Sequence, residues 1–370
     1  MSNIKENFSL ASFTTLHIGG PARFFVEVSS VEDIQKAVEF AKIPRPDLKN
    51  SKGLALGALP VFVLGGGSNV LISDEGFAGL VLKINIKKRE VLRDDKNTIT
   101  LKVGAGEVLD KVIGWTVENI WWGVENLSFV PGTIGGAIYM NAGCYGQEFS
   151  EVVRSVKAFD LVTHELKTFM KGDCSFTYRH SRFNAHDKGR FIVVETVLEL
   201  NKTGNPNIKY ADLEKWFQDK PEPSQKDVRE ALITIRTNKG QDPSKVWSAG
   251  SFFRNFKLTS GEFEVLLSKI KKECGDSLAL ELKVLVDKVK APSDGDKIKV
   301  PAAFILDKML GLKGFKVGGG MHSPMQVLNL VNTGDAKASD IIALYENAQK
   351  LVLEKTGLTL LPEPEFVGFE

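Results

Sequence analysis

The feature that most constrains the fold is a run of three glycines between two short apolar segments. In PVFVLGGGSNVLISD, residues 60–74, the segments 61–64 and 70–72 read as β-strands on either side of the glycines. A dinucleotide site of the Rossmann type needs GxGxxG at the mouth of a helix, but Val70 stands where the third glycine should be and a strand follows. The P-loop pattern GxxxxGK[ST] is missing from this stretch as well. Both of these nucleotide-binding loops are therefore excluded here.

Consecutive glycines can bind an anion in another way. Successive main-chain N–H groups at Gly65, Gly66 and Gly67 can turn towards one phosphate, because no Cβ keeps it at a distance. Ser68 and Asn69 add side-chain donors. A flexible hairpin turn is the alternative interpretation.

A second glycine-rich segment favours the anion site. Residues 131–146 read PGTIGGAIYMNAGCYG, which supplies another approachable length of main chain about 65 residues later. Two such segments suit a diphosphate and the flat ring attached to it, although two unrelated tight turns remain the alternative. We expect the whole run 121–146 to form loops.

Composition limits the compartment and the partners. The 370 residues suggest two or three domains, and the net charge of +2 gives no general attraction to nucleic acid or to a membrane surface. Cys144, Cys174 and Cys274 are scattered and lack CxxC spacing, which speaks against a disulfide framework or a zinc site. The N-terminus lacks a signal-peptide profile and no stretch approaches 18 apolar residues, so we expect a soluble cytoplasmic protein.

Periodicity predicts a mixture of helices and strands. Strands are predicted at 21–30, 61–64, 70–72, 79–84, 98–106 and 190–201, with a hairpin formed by 152–161 and 164–170. Helices are predicted at 31–43 after Ser30, 108–120, 227–239 after Ser224 or Asp227, 261–273, 301–311 and 338–357. We expect a loop at 45–60, and a break in the pattern places a boundary near 240.

Five motifs in order identify a resemblance. LGGGSNVL, VPGTIGGAIYMNAGCYG, YRHSRF, AGSFFRNF and LLPEPEF closely resemble the UDP-N-acetylenolpyruvoylglucosamine reductase family, over nearly the whole chain. The resemblance implies an α+β fold with an FAD-binding domain of the vanillyl-alcohol-oxidase (PCMH) type, built from two subdomains, and a smaller α+β substrate-binding domain. The implied domains are residues 1–82 with 366–370, residues 83–240, and residues 241–365.

The resemblance also implies an activity and its cofactors. NADPH would reduce FAD, whose N5 would then give a hydride to C3 of UDP-GlcNAc-enolpyruvate, forming UDP-N-acetylmuramate for peptidoglycan. A small-molecule substrate, FAD and NADPH are therefore expected, without a metal, in a monomer. The implied FAD contacts are Gly65, Gly66, Gly67, Ser68, Asn69, Pro131, Gly132, Gly135, Gly136, Asn141, Gly143 and Arg236.

Three residues match the catalytic positions of the family. Arg179 in FTYRHSRF would pair with the substrate carboxylate, because a planar guanidinium can bind it through two hydrogen bonds. Ser251 in SAGSFFRN would give a proton to C2, with Gly250 and the following aromatic residues setting its geometry. Glu365 in PEPEF would hydrogen-bond to the developing enolate as a neutral carboxylic acid. Without the resemblance, a salt bridge for Arg179 and a turn position for Ser251 would be preferred.

Further matches concern the substrate. Tyr210, Lys239 and Asn255 resemble the family's contacts with the UDP diphosphate, and Tyr178 and Gln326 are implied as additional substrate contacts. Each of the first three would, by itself, more often be a solvated surface residue. The Tyr210 segment indicates the branch of the family with a tyrosine-bearing loop, which we expect to be mobile without substrate.

Two other classes of protein remain open. An FAD-dependent sugar or alcohol oxidase of the same fold would keep both glycine segments but would not need Arg179, Ser251 and Glu365 in these contexts. A non-catalytic module that binds nucleotide sugars would need none of the three.

Overall fold

A computed structural model describes residues 3–49, 55–220, 222–288 and 297–369 of the chain. The strands are β1 (Lys5–Ser9), β2 (Pro21–Val28), β3 (Arg45–Lys49), β4 (Ala55–Leu56), β5 (Val61–Leu64), β6 (Val70–Ile72), β7 (Phe77–Ile84), β8 (Arg89–Asp94), β9 (Thr98–Gly104), β10 (Gly143–Cys144), β11 (Gln147–Glu148), β12 (Val153–Asp160), β13 (Leu166–Met170), β14 (Phe191–Asn201), β15 (Trp247–Ser251), β16 (Phe256–Leu258), β17 (Ile298–Val300), β18 (Lys316–Val317), β19 (Gly320–His322), β20 (Asn329–Asn332) and β21 (Glu365–Val367).

The helices are α1 (Val31–Lys42), α2 (Leu109–Glu118), α3 (Ile134–Met140), α4 (Ala211–Trp216), α5 (Gln225–Asn238), α6 (Ser260–Cys274), α7 (Asp276–Lys288), α8 (Ala302–Phe304) and α9 (Ala338–Thr356). A π-helical turn, Ile305–Met309, continues α8. None of the helices in the described ranges is long and apolar enough to cross a bilayer.

The described residues form two compact units. The first takes the chain up to residue 9, residues 21–67 and residues 76–238. The second takes residues 10–20, residues 68–75 and the chain from residue 239 onward. Two short segments from the N-terminal part of the chain thus belong to the second unit. The expected division into two FAD-binding subdomains and a substrate-binding domain stays a prediction.

The first unit contains two main sheets. One has the strand order β1-β2-β7-β5, in which β7 runs parallel to both β2 and β5 and β1 is antiparallel to β2. The other has the order β13-β12-β14-β9-β8 and is antiparallel throughout. Apolar side chains from both sheets and from α1, α2 and α3 form one buried cluster. Burial of this cluster is what stabilises the unit, because apolar surface leaves water on folding.

Helix α1 shows why local sequence rules work in this unit. The Ser30 hydroxyl accepts a hydrogen bond from the Asp33 N–H group, and the Asp33 carboxylate accepts one from the Ser30 N–H group. This reciprocal capping satisfies two N–H groups that would otherwise lack partners. The buried face then follows the helical repeat, with Ile34, Ala37, Val38 and Ala41. The predicted helix is therefore confirmed.

The second unit is built around an antiparallel sheet with the order β15-β20-β19-β18. Beside it, β21 pairs in parallel with β6, so that Glu365 is opposite Val70. The second unit has its own hydrophobic core. Helices α6 and α9 contribute buried leucines and isoleucines to this core, and strands β6, β16 and β20 contribute further apolar residues. Strand β6 comes directly after the first glycine segment, so its pairing holds the end of that segment against the C-terminal strand.

Two expected loops contain regular structure. The stretch 45–60 includes β3 and β4, which pair with each other, while residues 50–54 lie outside the described residues. The run 121–146 contains α3, because Ile134, Ala137 and Ile138 are buried at helical spacing and Thr133 caps the helix. This helix could not be recognised in the sequence, because Gly135 and Gly136 are poor helix formers and have no side chains to show an apolar face. Predicting loops throughout both stretches was therefore wrong.

A partly buried ion pair joins two helices of the first unit. The Asp110 carboxylate on α2 receives two hydrogen bonds from the Arg229 guanidinium on α5, at 2.6 and 2.8 Å, and a third from the Phe129 N–H group at 2.6 Å. Burial alone would raise the pKa of this carboxyl, but the bonds from Arg229 and Phe129 outweigh it and hold the pKa below its usual range. The ion pair therefore favours the folded state at neutral pH.

We predict that Asp110→Asn lowers the free energy of unfolding by about 2 kcal/mol at pH 7, the size of a charged hydrogen-bond network of this kind. Because the folded-state pKa is depressed, the contribution is present above the unfolded-state pKa of about 4 and is lost as the pH falls through the folded-state pKa. Urea unfolding at pH 7 and at acid pH measures both effects. Asp95, which is more exposed than Asp110 and pairs with Arg93, supplies the control Asp95→Asn. Equal losses in the two variants would contradict the prediction.

Candidate active site

The candidate residues are divided between the two units. The first unit holds Gly65, Gly66, Gly67, Pro131, Gly132, Gly135, Gly136, Asn141, Gly143, Tyr178, Arg179, Tyr210 and Arg236. The second unit holds Ser68, Asn69, Lys239, Ser251, Asn255, Gln326 and Glu365. Each group is described within its own unit.

The two glycine segments touch through their main chains. A Cβ atom built on Gly66 would lie 2.5 Å from the Gly132 Cα atom and 3.0 Å from its carbonyl carbon. A Cβ atom on Gly65 would lie 2.9 Å from the Thr133 hydroxyl oxygen. Only glycine can occupy position 66 without moving the main chain of the other segment. The two glycine segments are therefore one structural feature, as the sequence suggested.

The N–H groups around this contact differ in their availability. The first N–H groups of α3, at residues 134, 135 and 136, donate to Glu107 O, Ala105 O and Thr133 Oγ1. In the part of the chain that the structure describes, Gly66 and Gly67 donate no main-chain hydrogen bond outside the helices and strands. Gly67 has φ +64°, the left-handed conformation that turns successive N–H groups to one side. An anion would therefore meet the glycine turn, and the start of α3 is already occupied by protein acceptors.

A lysine that the sequence analysis missed supports the glycine turn. The Lys83 ammonium on β7 donates a hydrogen bond to the Gly65 carbonyl oxygen, and β7 places Lys83 opposite Leu64. Burial, and secondarily the neighbouring Lys87, lower the pKa of this ammonium. No local sequence pattern marks this contact, because it depends on the parallel pairing of β5 with β7. The lysine brings positive charge to the same turn.

The residues of the glycine turn fit a bound flavin nucleotide. The glycine turn offers N–H groups, close approach and a nearby cation, which are the features that a diphosphate requires. Asn141 fits less directly, because its amide is used within the protein: it donates to Glu148 and to the Thr177 carbonyl and accepts from the Ser150 N–H group. Any cofactor contact of Asn141 is thus left to its main chain.

Arg179 lies at the tip of a two-residue loop. Thr177 and His180 exchange main-chain hydrogen bonds at 3.1 and 3.0 Å, which leaves Tyr178 and Arg179 between them. Arg179 has φ +56°, a conformation that costs a non-glycine residue about 1 kcal/mol. Its guanidinium donates to the Gly143 carbonyl oxygen at 2.9 Å and lies over the Tyr178 ring. The loop therefore holds the arginine against the second glycine segment.

The same segment contacts two further candidates. The buried Arg236 on α5 reaches the Phe129 carbonyl oxygen and the Cys144 sulfur. The Tyr210 ring packs edge-on against Tyr145, with 5.0 Å between the ring centroids. Burial raises the pKa of Tyr145, whose ring lies among apolar residues of α4 and α5. Tyr210 itself is 48% exposed, so its ring can contact a ligand. Mobility of the tyrosine loop stays a prediction.

In the second unit, a β-bulge sets the direction of Ser251. Ser248 is opposite Val331 and Ser251 is opposite Asn329. Between these two pairs β15 advances by three residues, whereas β20 advances by two. Gly250, with φ +72°, takes up the extra residue. Side chains alternate along a strand, so without the bulge Ser248 and Ser251 would point to opposite faces. The bulge places both on one face.

Glu365 is fixed by two strand pairings near Ser251. Just beyond β15, Phe253 pairs with Pro362 and the Phe252 carbonyl accepts the Glu363 N–H group at 2.8 Å. Just beyond Glu363, the Glu365 N–H group donates to the Asn69 carbonyl at 3.0 Å. Ser251 and Glu365 each lie within three residues of the Phe253–Pro362 pair. The chain segments that follow Ser251 and precede Glu365 are therefore paired with each other.

The remaining candidates of the second unit have local roles as well. The Asn255 amide oxygen accepts the Ala302 N–H group at the start of α8. The Gln326 N–H group donates to Ser323, and its carbonyl accepts the Asn329 N–H group. Lys239 is half-buried just after α5. Among the described residues, no group of three His, Cys, Asp or Glu side chains is placed to hold a metal ion.

The fold and the glycine contact fit a flavin-binding protein of the α+β class, and comparison with known proteins shows this class. A family model described as FAD binding domain matches residues 22–165. A second model, described as UDP-N-acetylenolpyruvoylglucosamine reductase, C-terminal domain, matches residues 242–367. The chain belongs to the UDP-N-acetylenolpyruvoylglucosamine reductase family.

Similar proteins cover most of the chain. The UDP-N-acetylenolpyruvoylglucosamine reductase of Alcanivorax borkumensis is 38% identical over 83% of this chain and 84% of its own length. That of Flavobacterium johnsoniae is 32% identical over 97% of this chain and 98% of its own length. The solved structure of the reductase from Thermus caldophilus covers 98% of both chains with a TM-score of 0.63 and 23% identity, which supports the fold.

These comparisons confirm several expectations. The family, the α+β fold with an FAD-binding domain, and the assignment as an oxidoreductase of peptidoglycan precursor synthesis are confirmed. The family uses FAD and NADPH, as expected. The roles of individual site residues stay predictions.

We predict that Gly66→Ala weakens FAD binding at least tenfold, because the new methyl group would displace Gly132 at a cost of about 1–3 kcal/mol. Titration of the FAD-free protein with FAD, followed by flavin fluorescence, measures the affinity. The matched control is Gly57→Ala, since a Cβ atom at that exposed glycine meets nothing within 4 Å. An affinity unchanged in Gly66→Ala would exclude the glycine turn as the diphosphate site.

Proposed function

We propose that this protein reduces the enolpyruvyl ether of UDP-GlcNAc-enolpyruvate to UDP-N-acetylmuramate with NADPH, as a cytoplasmic monomer. The observation that carries the proposal is the pairing of the segment after Ser251 with the segment before Glu365 in the second unit. FAD, when bound, supplies a redox centre that takes the hydride of NADPH and delivers it to C3. The main chain at Gly65, Gly66, Gly67 and Gly132 would hold its diphosphate.

Further contacts complete the proposed cofactor site. Ser68, Asn69, Pro131, Gly135, Gly136, Asn141, Gly143 and Arg236 are the other residues proposed to contact FAD. The proposal includes the division into residues 1–82 with 366–370, residues 83–240 and residues 241–365. Within this division, the contact between Gly66 and Gly132 joins the first part to the second.

The reaction places negative charge beside the substrate carboxylate. Hydride addition at C3 leaves carbanion or enolate character at C2, which needs a cation or hydrogen-bond donors and a proton. Arg179 would pair with the carboxylate through its planar guanidinium. Its unusual main-chain conformation supports this role, because such strain persists mainly where the surrounding structure maintains it for function.

Proton delivery is assigned to the second unit. Ser251 would give its hydroxyl proton to C2, and Glu365, in its protonated form, would donate a hydrogen bond to the enolate. A serine hydroxyl is a weak acid at neutral pH, so its position must be fixed relative to the carbon. The bulge at Gly250 and the strand pairing beyond Phe252 supply that fixed position.

The UDP diphosphate would be bound by a hydroxyl, a cation and an amide. We assign these to Tyr210, Lys239 and Asn255, with Tyr178 and Gln326 as further substrate contacts. The Asn255 oxygen accepts the Ala302 N–H group, which orients the amide and leaves its NH₂ group as the donor for a phosphate. The exposed ring of Tyr210 supports a role in closing over the substrate.

We predict that the anaerobic holoenzyme is yellow, that NADPH bleaches its flavin absorbance, and that UDP-GlcNAc-enolpyruvate restores it. Stopped-flow absorbance at the flavin maximum follows both steps. A sugar or alcohol oxidase would instead be bleached by its sugar or alcohol and reoxidised rapidly by air. A protein that takes up no FAD would be a nucleotide-sugar binding module.

We predict that Ser251→Ala slows the restoration of flavin absorbance by substrate roughly 100- to 10,000-fold, because the proton donor is removed. Bleaching by NADPH should stay close to the wild-type rate, since that step needs no proton from Ser251. Ser268→Ala, an exposed serine of α6, is the control and should leave both rates unchanged. Equal slowing of both steps in Ser251→Ala would remove Ser251 from the proton-donor role.

A further inference from the structure

A buried asparagine stands opposite Ser251. Asn329 begins β20, is 0% exposed, and is the register partner of Ser251 on β15. Its main chain is fully paired, because its N–H group donates to Gln326 at 2.9 Å and its carbonyl accepts from Ser323 at 2.8 Å. The strand pairing thus accounts for the main chain of Asn329 but not for its amide side chain.

The Asn329 amide has no hydrogen-bond partner among the residues that the structure describes, at either its oxygen or its nitrogen. Burying an unpaired amide costs about 1–3 kcal/mol, whereas an apolar side chain of similar volume would stabilise the same site. The next two residues of β20, Leu330 and Val331, are buried and apolar. Asn329 is thus a costly choice for packing alone, and a buried unpaired amide calls for an explanation, of which a catalytic role is one.

The bulge at Gly250 gives the amide a neighbour. Residues directly opposite each other in an antiparallel pair project from the same face, with Cβ atoms about 4.5–5.5 Å apart. The Ser251 hydroxyl therefore lies within reach of a rotation of the Asn329 side chain. Ser323, on the other side of Asn329, already accepts N–H groups from Met325 and Gln326 with its hydroxyl oxygen. Ser251 is the better partner.

We propose that Asn329 is a positioning residue that holds the Ser251 hydroxyl and stabilises the charge left on it. This inference rests on the proposed role of Ser251 as proton donor. When the proton moves to C2, the O–H bond of Ser251 breaks, a C–H bond forms, and the negative charge of the carbon passes to the serine oxygen. The Asn329 NH₂ group donates a hydrogen bond to that oxygen, and water then returns a proton to it.

The first test uses two variants with opposite effects on stability. Asn329→Leu removes the amide while keeping the volume, so restoration of flavin absorbance by substrate should slow roughly 100-fold, as when one donor to a developing oxyanion is lost. Bleaching by NADPH should keep its rate, and the midpoint of thermal unfolding should not fall. Val331→Ala, an apolar neighbour on β20, is the control: it should lower the midpoint and leave both rates alone. A role in folding alone would reverse this pattern for Asn329→Leu and overturn the inference.

The second test separates this inference from the role of Ser251. If Asn329 acts through Ser251, then Asn329→Leu should slow the substrate step no further in a Ser251→Ala background. Multiplied effects in the double variant, or no slowing in Asn329→Leu alone while Ser251→Ala is slow, would overturn the inference and leave Ser251 as the donor. A normal substrate step in Ser251→Ala would overturn the proposed proton donor, and the inference with it.

A third measurement does not depend on activity. In holoenzyme labelled with 15N-asparagine, the side-chain NH₂ signals of Asn329 are assigned by their loss in Asn329→Leu. Ser251→Ala should shift these signals, whereas Ser268→Ala should leave them in place. Signals that respond to neither substitution would show that the amide and the hydroxyl do not interact.

Discussion

The contact between the main chains at Gly66 and Gly132 is the constraint on which the rest of the first unit depends. A Cβ atom at position 66 would lie 2.5 Å from another Cα atom, so two segments separated by 65 residues meet at a distance that only glycine allows. This contact brings the Gly67 turn beside the start of α3, whose own N–H groups are already paired. The flavin site predicted here is therefore a property of main-chain packing more than of any side chain.

The second unit achieves its geometry by different means. Strand pairing fixes Glu365 against Asn69 and joins the segment after Ser251 to the segment before Glu365, while one bulged residue decides which way Ser251 points. Strands hold side chains in defined directions, which is the fixed geometry that the proposed role of Ser251 requires. Asn329, in the strand opposite Ser251, carries a buried amide whose unfavourable desolvation packing alone does not explain.

Much of the fold could be predicted from local pattern, and the exceptions have identifiable causes. Helix α1 and strand β14 were predictable because capping residues and apolar periodicity are local signals. Helix α3 was missed because Gly135 and Gly136 interrupt the pattern that its buried residues would otherwise display. Lys83 and Asn329 were missed for another reason: each gains its significance from a residue across a strand pair, at positions 65 and 251.

By itself, the sequence determined that two glycine segments exist, that no Rossmann or P-loop pattern accompanies them, and that five ordered motifs match one reductase family. Only the tertiary structure decided that these segments touch, that Ser251 turns to the face of Asn329, and that Glu365 lies beside Asn69. The physical reason is that composition and periodicity are properties of neighbouring residues. Register, bulges and close main-chain approach are set by partners tens to hundreds of residues away.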